Sequence, residues 1–256
     1  MANQPITVQG PTGVPDNLPR VRNRIPQGPP PSLDENVFTV PLDYEADPNV
    51  LVARNALKGG KLAAEKALEI ARATLADETL TLHARHMAAQ DLCHRATAPA
   101  VEKIQNAIDK IFAQVKAEED FLKGPKASIT PATVIQIAEA RGALNRLPPA
   151  ERRTAILQGI EANDPITCAA VTRCPSYLVG CTDIEMADFA NRWATKHHPT
   201  HVAHLRVLKD VLDHTERGGK LLLVFTHSLS STQITSEARR LSERAATAVR
   251  NAGIQP

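Results

Sequence analysis

The stretch that decides the fold is VEKIQNAIDKIFAQVKAEEDFL, residues 101–122. Its larger aliphatic residues recur at spacings of three, four or seven positions, and charged residues occupy other positions. Because an α-helix turns once in about 3.6 residues, this spacing places the apolar side chains on one face. The stretch is therefore predicted to be an amphipathic helix that ends at Gly124-Pro125. The aliphatic positions are Val101, Ile104, Ile108, Ile111, Val115 and Leu122.

Downstream of this stretch, proline and capping signals predict a series of further helices. Prolines at 131, 148, 149 and 165 stand where proline is favoured, in the first turn of a helix. Thr182 to Glu185 matches a capping box, and residues 230–233 offer a second one. Pro199 predicts a break between two helices. Small aliphatic residues dominate over aromatic ones, which are 3% of the chain, and this favours closely packed helices.

Upstream, residues 50–76 are mostly strong helix formers, interrupted by Gly59-Gly60. Two glycines cost a helix interior about 2 kcal/mol relative to alanine, which predicts a kink or two shorter helices. A helix over residues 80–95 is expected next, with Pro99 opening the following one. Near the C-terminus, a run of apolar residues at 221–225 follows a second glycine pair. That run fits a buried helix or a strand, and the surrounding helices favour a helix.

The first 48 residues differ from the rest of the chain. They hold ten of the nineteen prolines and show no apolar spacing typical of a helix. At about 3.1 Å per residue, such a segment spans at most about 150 Å when extended. We therefore expect an all-α fold: a multi-helix bundle over residues 49–256, with a long extended proline-rich N-terminal arm over residues 1–48.

Two segments of the arm alternate in character, as strands that bind an edge of another protein do. The alternative is a solvated tail of polyproline type. The first interpretation predicts that the two segments bind neighbouring subunits. The residues concerned are Arg20, Val21, Arg22, Arg24 and Ile25 in the first segment, and Val37, Phe38, Val40 and Leu42 in the second.

Composition argues against several classes of partner. The net charge of +2 gives no field strong enough to indicate nucleic acid. The longest apolar run has five residues, far from the roughly 20 of a membrane helix. No secretory signal is visible at the N-terminus, and four cysteines are too few to indicate a disulfide scaffold. We expect synthesis in the cytoplasm, no membrane partner and no small-molecule substrate.

Two groups of histidines are candidates for chemistry. His197 and His201 have the i, i+4 spacing of a metal site, but Pro199 separates them, and Cys168, Cys174 and Cys181 lack paired CxxC spacing. We predict no catalytic, cofactor or metal site, and no enzyme. The first group is His197, His198, His201 and His204, and the second is His83, His86, His94, Asp91 and Cys93.

Residues 147–199 carry a resemblance to known proteins. Their signals are Gly159-x-x-x-x-Asp164, then Ala169-Ala170-Val171, then Cys174-Pro175-x-x-Leu178-x-Gly180, Thr182 and His197-His198-Pro199. This order resembles uncharacterised helical proteins from the structural gene clusters of tailed bacteriophages and prophages. The resemblance covers about a fifth of the chain.

The resemblance implies a structural virion protein in the head-to-tail or tail region, whose arm binds other virion proteins and copies of itself. Two alternatives stay open. The first is a scaffolding protein or an internal protein that is ejected. The second is a metal-binding protein or enzyme that uses the residues from His197 to His204.

Overall fold

A computed structural model describes residues 25–125 and 130–251. Within these residues the fold is all-helical and has no strand. No helix in this part of the chain is both long and apolar enough to cross a bilayer. The helices are α1 (Pro48–Ala76), α2 (Leu82–Leu122), α3 (Pro131–Arg146), α4 (Pro149–Glu161), α5 (Pro165–Thr172), α6 (Asp183–His197), α7 (Pro199–Ser228) and α8 (Thr232–Asn251).

The larger of two hydrophobic cores lies between α1, α2 and α7. The first two helices form an antiparallel pair, and α7 packs across both. Alanines on α1 are fully buried at positions 53, 64, 67 and 71, so α2 approaches this helix closely. The stretch over residues 101–122 is the second half of α2, and its aliphatic face packs in this core, except for Leu122, which belongs to the second core.

Residues 25–47, which we name the lead-in segment, run antiparallel along α1. Near the end of α1, Arg72 donates to the carbonyl of Gln27. In the middle, Lys61 pairs with Asp34 at 2.9 Å. At the start of α1, the carboxylate of Asp47 accepts from the first backbone amides and caps the helix. The lead-in segment is thus fastened along the whole of α1.

The side chain of Leu33, in the lead-in segment, fills a gap that glycines leave between α1 and α7. A Cβ atom on Gly60 would lie 3.2 Å from Leu33 Cδ2 and 3.0 Å from Ile104 Cδ1. A Cβ atom on Gly218 would lie 2.4 Å from Leu57 Cδ2 and 3.1 Å from the Ser32 carbonyl oxygen. Only glycine lets these helices and the lead-in segment come this close.

Both glycine pairs lie inside helices that continue through them, so Gly59-Gly60 does not divide α1 into two shorter helices. The run at 221–225 belongs to α7 and is helical. The break expected at Pro99 is wrong, because α2 continues through it as one helix of 41 residues. Proline has no amide hydrogen, so the carbonyl of Arg95 loses its helical hydrogen bond. Arg95 is exposed, so water can bind this carbonyl instead.

The second, smaller core joins α3 to α6 with the end of α2. Three arginines hold its helix ends together by donating to backbone carbonyls. Arg141 donates to the carbonyl of Ala170 at the end of α5, and Arg152 to that of Leu144 near the end of α3. Arg173 donates to the carbonyl of Gly124, just beyond α2. The helix starts at Pro131, Pro165 and the Thr182 capping box are as predicted.

The last helix, α8, docks on α2 through its first turns only. The backbone amide of Ser231 donates to Nδ1 of His86 at 3.0 Å, and Arg239 donates to Gln90 at 3.0 Å. From residue 239 to 251 every side chain is exposed. The second half of α8 therefore extends away from the body.

The structure places the start of the body earlier than the predicted boundary at residue 48. Leu33 and Phe38 are buried in the main core, because the glycine gap and the surface of α7 receive them. Residues 25–47 are thus part of the body rather than a free arm. Residues 1–24, the rest of the predicted arm, lie outside the described residues.

We expect Gly218→Ala to lower the free energy of unfolding by about 1–3 kcal/mol, because the new methyl group overpacks a site closed by Leu57 and Ser32. Gly59→Ala is the matched control, since nothing lies within 4 Å of its Cβ position. It should raise the free energy of unfolding by up to about 1 kcal/mol. Urea denaturation measures both, and equal shifts would contradict close packing at Gly218.

The docking of α8 should weaken in mild acid. Burial, and secondly the nearby His83, lower the pKa of His86 from its ordinary 6.5, so the fold favours a neutral ring that accepts from Ser231. The unfolded chain takes up its proton near pH 6.5, so stability falls as pH drops from there towards the lowered pKa. Hydrogen exchange of residues 231–239 at pH 7.5 and 5.5 measures the effect.

The matched variant is His86→Asn, whose amide oxygen keeps an acceptor but does not titrate. Its pH dependence should be shallower than that of the natural chain. Some dependence remains, because burial and the neighbouring His227 also lower the pKa of His94. An unchanged profile would show that His86 does not control the docking.

Candidate functional site at the histidine and carboxylate cluster

Four titratable side chains meet where the lead-in segment, α2 and α7 come together. We name Asp47, Glu118, His201 and His204 the bridge cluster. The two carboxylate oxygens of Glu118 lie 3.0 Å from His201 Nδ1 and 3.1 Å from His204 Nδ1. On its other side, His204 Nε2 lies 3.0 Å from Asp47 Oδ2. The cluster therefore joins three elements by one hydrogen-bonded chain.

Helix geometry sets these positions. His201 and His204 are three residues apart in the first turns of α7, so both rings face α2. Glu118 lies in the last turns of α2, and its side chain is only 10% exposed. Asp47 is fixed by its role as the cap of α1, where it accepts from the amides of Asn49 and Val50.

The hydrogen bonds of the cluster act on the protonation of Asp47. Burial acts to raise the pKa of Asp47, but the two amide donors and His204 outweigh it and hold that pKa below its ordinary value. Asp47 is therefore ionised at neutral pH. Both ring nitrogens of His204 face a carboxylate oxygen, one from Glu118 and one from Asp47, so the ring is held from two sides. Because Asp47 is ionised, its hydrogen bond to His204 is charge-assisted, and such bonds are stronger than neutral ones.

Aromatic rings extend the cluster on both sides. The Tyr44 ring stacks on His204, with centroids 5.5 Å apart and planes inclined by 6°. On the other side, Phe121 contacts His201 at 4.5 Å and His198 at 4.8 Å. His198 in turn contacts Trp193 at 4.7 Å, inside the second core. Because Glu118 joins His204 to His201, the two series of rings together link the lead-in segment to both cores.

The structure separates the predicted histidine group. Helix α6 ends at His197 and α7 begins at Pro199, so the break predicted at the proline is confirmed. His197 Nε2 donates to the carbonyl of Ile160 at the end of α4 rather than facing His201. His198 makes ring contacts, and burial lowers its pKa, as do the nearby His201 and His197. His201 and His204 share the carboxylate of Glu118, and the His198 ring lies 6.0 Å from that of His201.

The second predicted group serves the packing of helices. His86 accepts from Ser231, and the His94 ring lies 4.8 Å from that of His227. Cys93 is fully buried, and burial raises the pKa of its thiol to about 11. A thiol of this kind is not ionised at neutral pH, so it is a poor nucleophile and a poor metal ligand.

The three remaining cysteines are also protonated thiols. Burial raises the pKa of Cys168 to about 11 and raises those of Cys174 and Cys181 as well. In the described part of the chain, no group of three or more His, Cys, Asp or Glu side chains is arranged to hold a metal ion. The bridge cluster can therefore hold the lead-in segment, α2 and α7 to one another by hydrogen bonds.

The arm residues expected to bind a partner fall into three classes. Arg20, Val21, Arg22 and Arg24 lie outside the described residues. Ile25, Val37, Phe38 and Val40 pack on the main core of their own chain. Leu42 alone among the described ones is fully available, with 85% of its surface exposed. That these residues bind a neighbour stays a prediction.

Sequence reasoning missed Glu118 and Asp47. One signal was present for Glu118: it lies three residues after Val115 and four before Leu122, on the apolar face of the quoted stretch. A carboxylate at such a position is rarely buried without a partner, so it indicates a basic residue nearby in the fold. Nothing local pairs Asp47 with His204, which is 157 residues away.

Comparison with known proteins adds no relative. No family model, no curated protein and no solved structure matches this chain.

We expect Glu118→Ala to lower the free energy of unfolding by about 1–3 kcal/mol, because His201 and His204 both lose their acceptor in a partly buried site. The neighbouring Glu119→Ala is the matched control. Glu119 pairs on the surface with Lys209 at 2.8 Å, so its loss should cost less than about 1 kcal/mol. Urea denaturation at pH 7 measures both. A smaller loss of stability for Glu118→Ala than for Glu119→Ala would contradict the bridging role of Glu118.

Proposed function

We propose that this chain is a structural protein of a tailed-bacteriophage particle, bound in the head-to-tail or tail region to other virion proteins and to copies of itself. The proposal rests on the resemblance of residues 147–199 and on surfaces that need a partner. It assigns no catalytic step to the chain. The bridge cluster is then a structural tether that keeps the lead-in segment and the two cores in one arrangement.

The observation that carries the proposal is the exposure of large apolar side chains. Ile184 is 84% exposed and Tyr177 is 72% exposed, and both lie in the stretch that carries the resemblance. On α7, Val224 is exposed beside Leu223 in the chain and one turn after Leu221, which is exposed as well. Contiguous exposed apolar surface marks interaction sites.

The projecting half of α8 supports the same conclusion. Leu241 and Val249 are both exposed and lie about two turns apart. A helical extension of this length is marginally stable in water by itself, and packing against a partner stabilises it. A subunit of a larger assembly provides such packing.

The lead-in segment shows how an extended segment binds this kind of body. It fastens to α1 by side-chain contacts and by backbone carbonyls, without forming a strand or a helix longer than three residues. Residues 1–24 precede this segment in the chain and lie outside the described residues, and the proposal assigns them to a neighbour. Ordering such a segment costs entropy, which suits an assembly formed once.

Deleting residues 1–24 should leave the helical circular dichroism and the unfolding midpoint unchanged, because the deletion stops before Leu33 and Phe38. The same deletion should abolish incorporation into particles, measured by mass spectrometry of particles released by the host that carries the gene. Deleting residues 1–38 is the contrasting variant. It removes Leu33 from the glycine gap and should destabilise the body itself.

Two outcomes would overturn the proposal. Normal incorporation of the chain that lacks residues 1–24 would contradict a binding role for these residues. Absence of the full-length chain from all particles would remove the virion role, whereas presence in precursor particles alone would indicate a scaffolding protein.

A further inference from the structure

A groove of about 660 Å³ lies between the lead-in segment and the first half of α7. Phe38, Val207 and Val211 are buried side chains that line it. Exposed residues of α7, among them Asp210, line it as well. The groove is thus apolar at depth and polar at the surface, as binding sites for peptide segments are.

The lead-in side of the groove presents backbone groups without partners. Within the described residues, the amides of Phe38, Thr39 and Val40 donate no hydrogen bond, and their carbonyls accept none. Phe38 lies in a bend, and the exposed Thr39 with Val40 continues the chain to Pro41 without a turn or a helix. Such a row is satisfied by water or by an extended segment that pairs with it as an added strand.

The charge around the groove favours a basic occupant. Residues 25–47 contain five acidic residues and no basic one. Four of the five have basic partners on the body, which leaves Asp43 without an ion pair among the described residues. On α7, the carboxylate of Asp210 also has no ion pair there, and neither has Arg206. The two unpaired carboxylates outnumber the one unpaired guanidinium, so the charge near the groove favours a basic segment.

The chain itself contains a segment of this kind. Residues 20–24 read Arg-Val-Arg-Asn-Arg, so in an extended conformation the arginines share one face. We propose that the groove binds residues 20–24 of a second copy of this chain, placed beside Phe38–Pro41 as an added strand. The arginines then face Asp43 and Asp210, and Val21 contacts the apolar part.

Residues 20–24 are too short to reach the groove of their own copy, so the occupant comes from a second copy. The lead-in segment begins near Arg72 of α1, whereas Arg54, whose guanidinium lies 5.8 Å from the Phe38 ring, marks the level of the groove. These positions are eighteen residues apart on α1, about 27 Å along the helix. Five extended residues span at most about 17 Å, so residues 20–24 fall short of their own groove.

The proposal deepens the proposed function and rests on it for the assembly in which the copies meet. Each copy offers one arm segment and one groove, so the contact is head-to-tail. A head-to-tail contact generates a ring if the rotation closes and a filament if it does not. Both forms occur as repeating layers of large particles.

A photocrosslinking experiment tests the contact directly. In the full-length chain, Arg22 is replaced by the photoreactive residue p-benzoylphenylalanine, and isotopically heavy and light preparations are mixed before irradiation. Mass spectrometry should find heavy-to-light crosslinks from position 22 to residues 37–44 or 203–214. Crosslinks confined to single chains, or heavy-to-light crosslinks to other surfaces, would overturn the proposal.

Charge reversal tests the chemistry of the same contact. The pair Asp43→Lys and Asp210→Lys should reduce the intermolecular crosslink by about tenfold, because cations then face cations. Adding Arg20→Glu and Arg24→Glu should restore it. The control pair Glu102→Lys and Asp109→Lys makes the same change of net charge on the exposed face of α2 and should leave the yield unchanged.

The outcomes separate this proposal from the proposed function. If the control pair lowers the yield as much as the groove pair, or the arm variants fail to restore it, the specific contact is refuted. Particle incorporation is measured independently. A chain found in particles without the groove crosslink refutes the groove contact alone, whereas the groove crosslink in a chain absent from particles refutes the virion role alone.

Discussion

The close approach of α1 and α7 at two glycines is the constraint on which the rest of the structure depends. Because Gly60 and Gly218 have no side chains, Leu33 enters between the helices and is fully buried. That single insertion makes the lead-in segment part of the main core. A methyl group at Gly218 would clash with Leu57 of α1 and with the backbone of Ser32. The packing of the two helices and the binding of the lead-in segment therefore both depend on this glycine.

The bridge cluster fixes the other end of the lead-in segment. Asp47 caps α1 and also holds His204, which shares Glu118 with His201. The segment is therefore held by apolar packing in its middle and by charged hydrogen bonds at its end. Since α2 contributes to both cores and carries Glu118, the cluster also ties the smaller core to the bundle.

Local signals predicted the helices that begin with proline or a capping box. Pro131, Pro165 and Thr182 each mark a helix start in the structure, because such signals act within one turn. The glycine pairs and Pro99 show the limit of local reasoning. Glycine pairs and proline each lower the intrinsic stability of a helix, and tertiary packing decides whether the helix continues.

The candidate site was predictable only in part for a similar reason. The break at Pro199 follows from the sequence, and it correctly separates His197 from His201. The bond between Glu118 and His201 joins residues 83 positions apart, and no local spacing reports it. The apolar periodicity of α2 marks Glu118 as a buried acid, but it does not name the partner.

The position of Leu33 also sets an order of events during synthesis. Leu33 leaves the ribosome long before Gly218, yet its binding gap exists only when α7 lies against α1. While the intervening residues are being made, the lead-in segment has no gap to fill, and its apolar side chains stay open to other contacts. The part of the chain that is translated early is thus among the last to reach its native position.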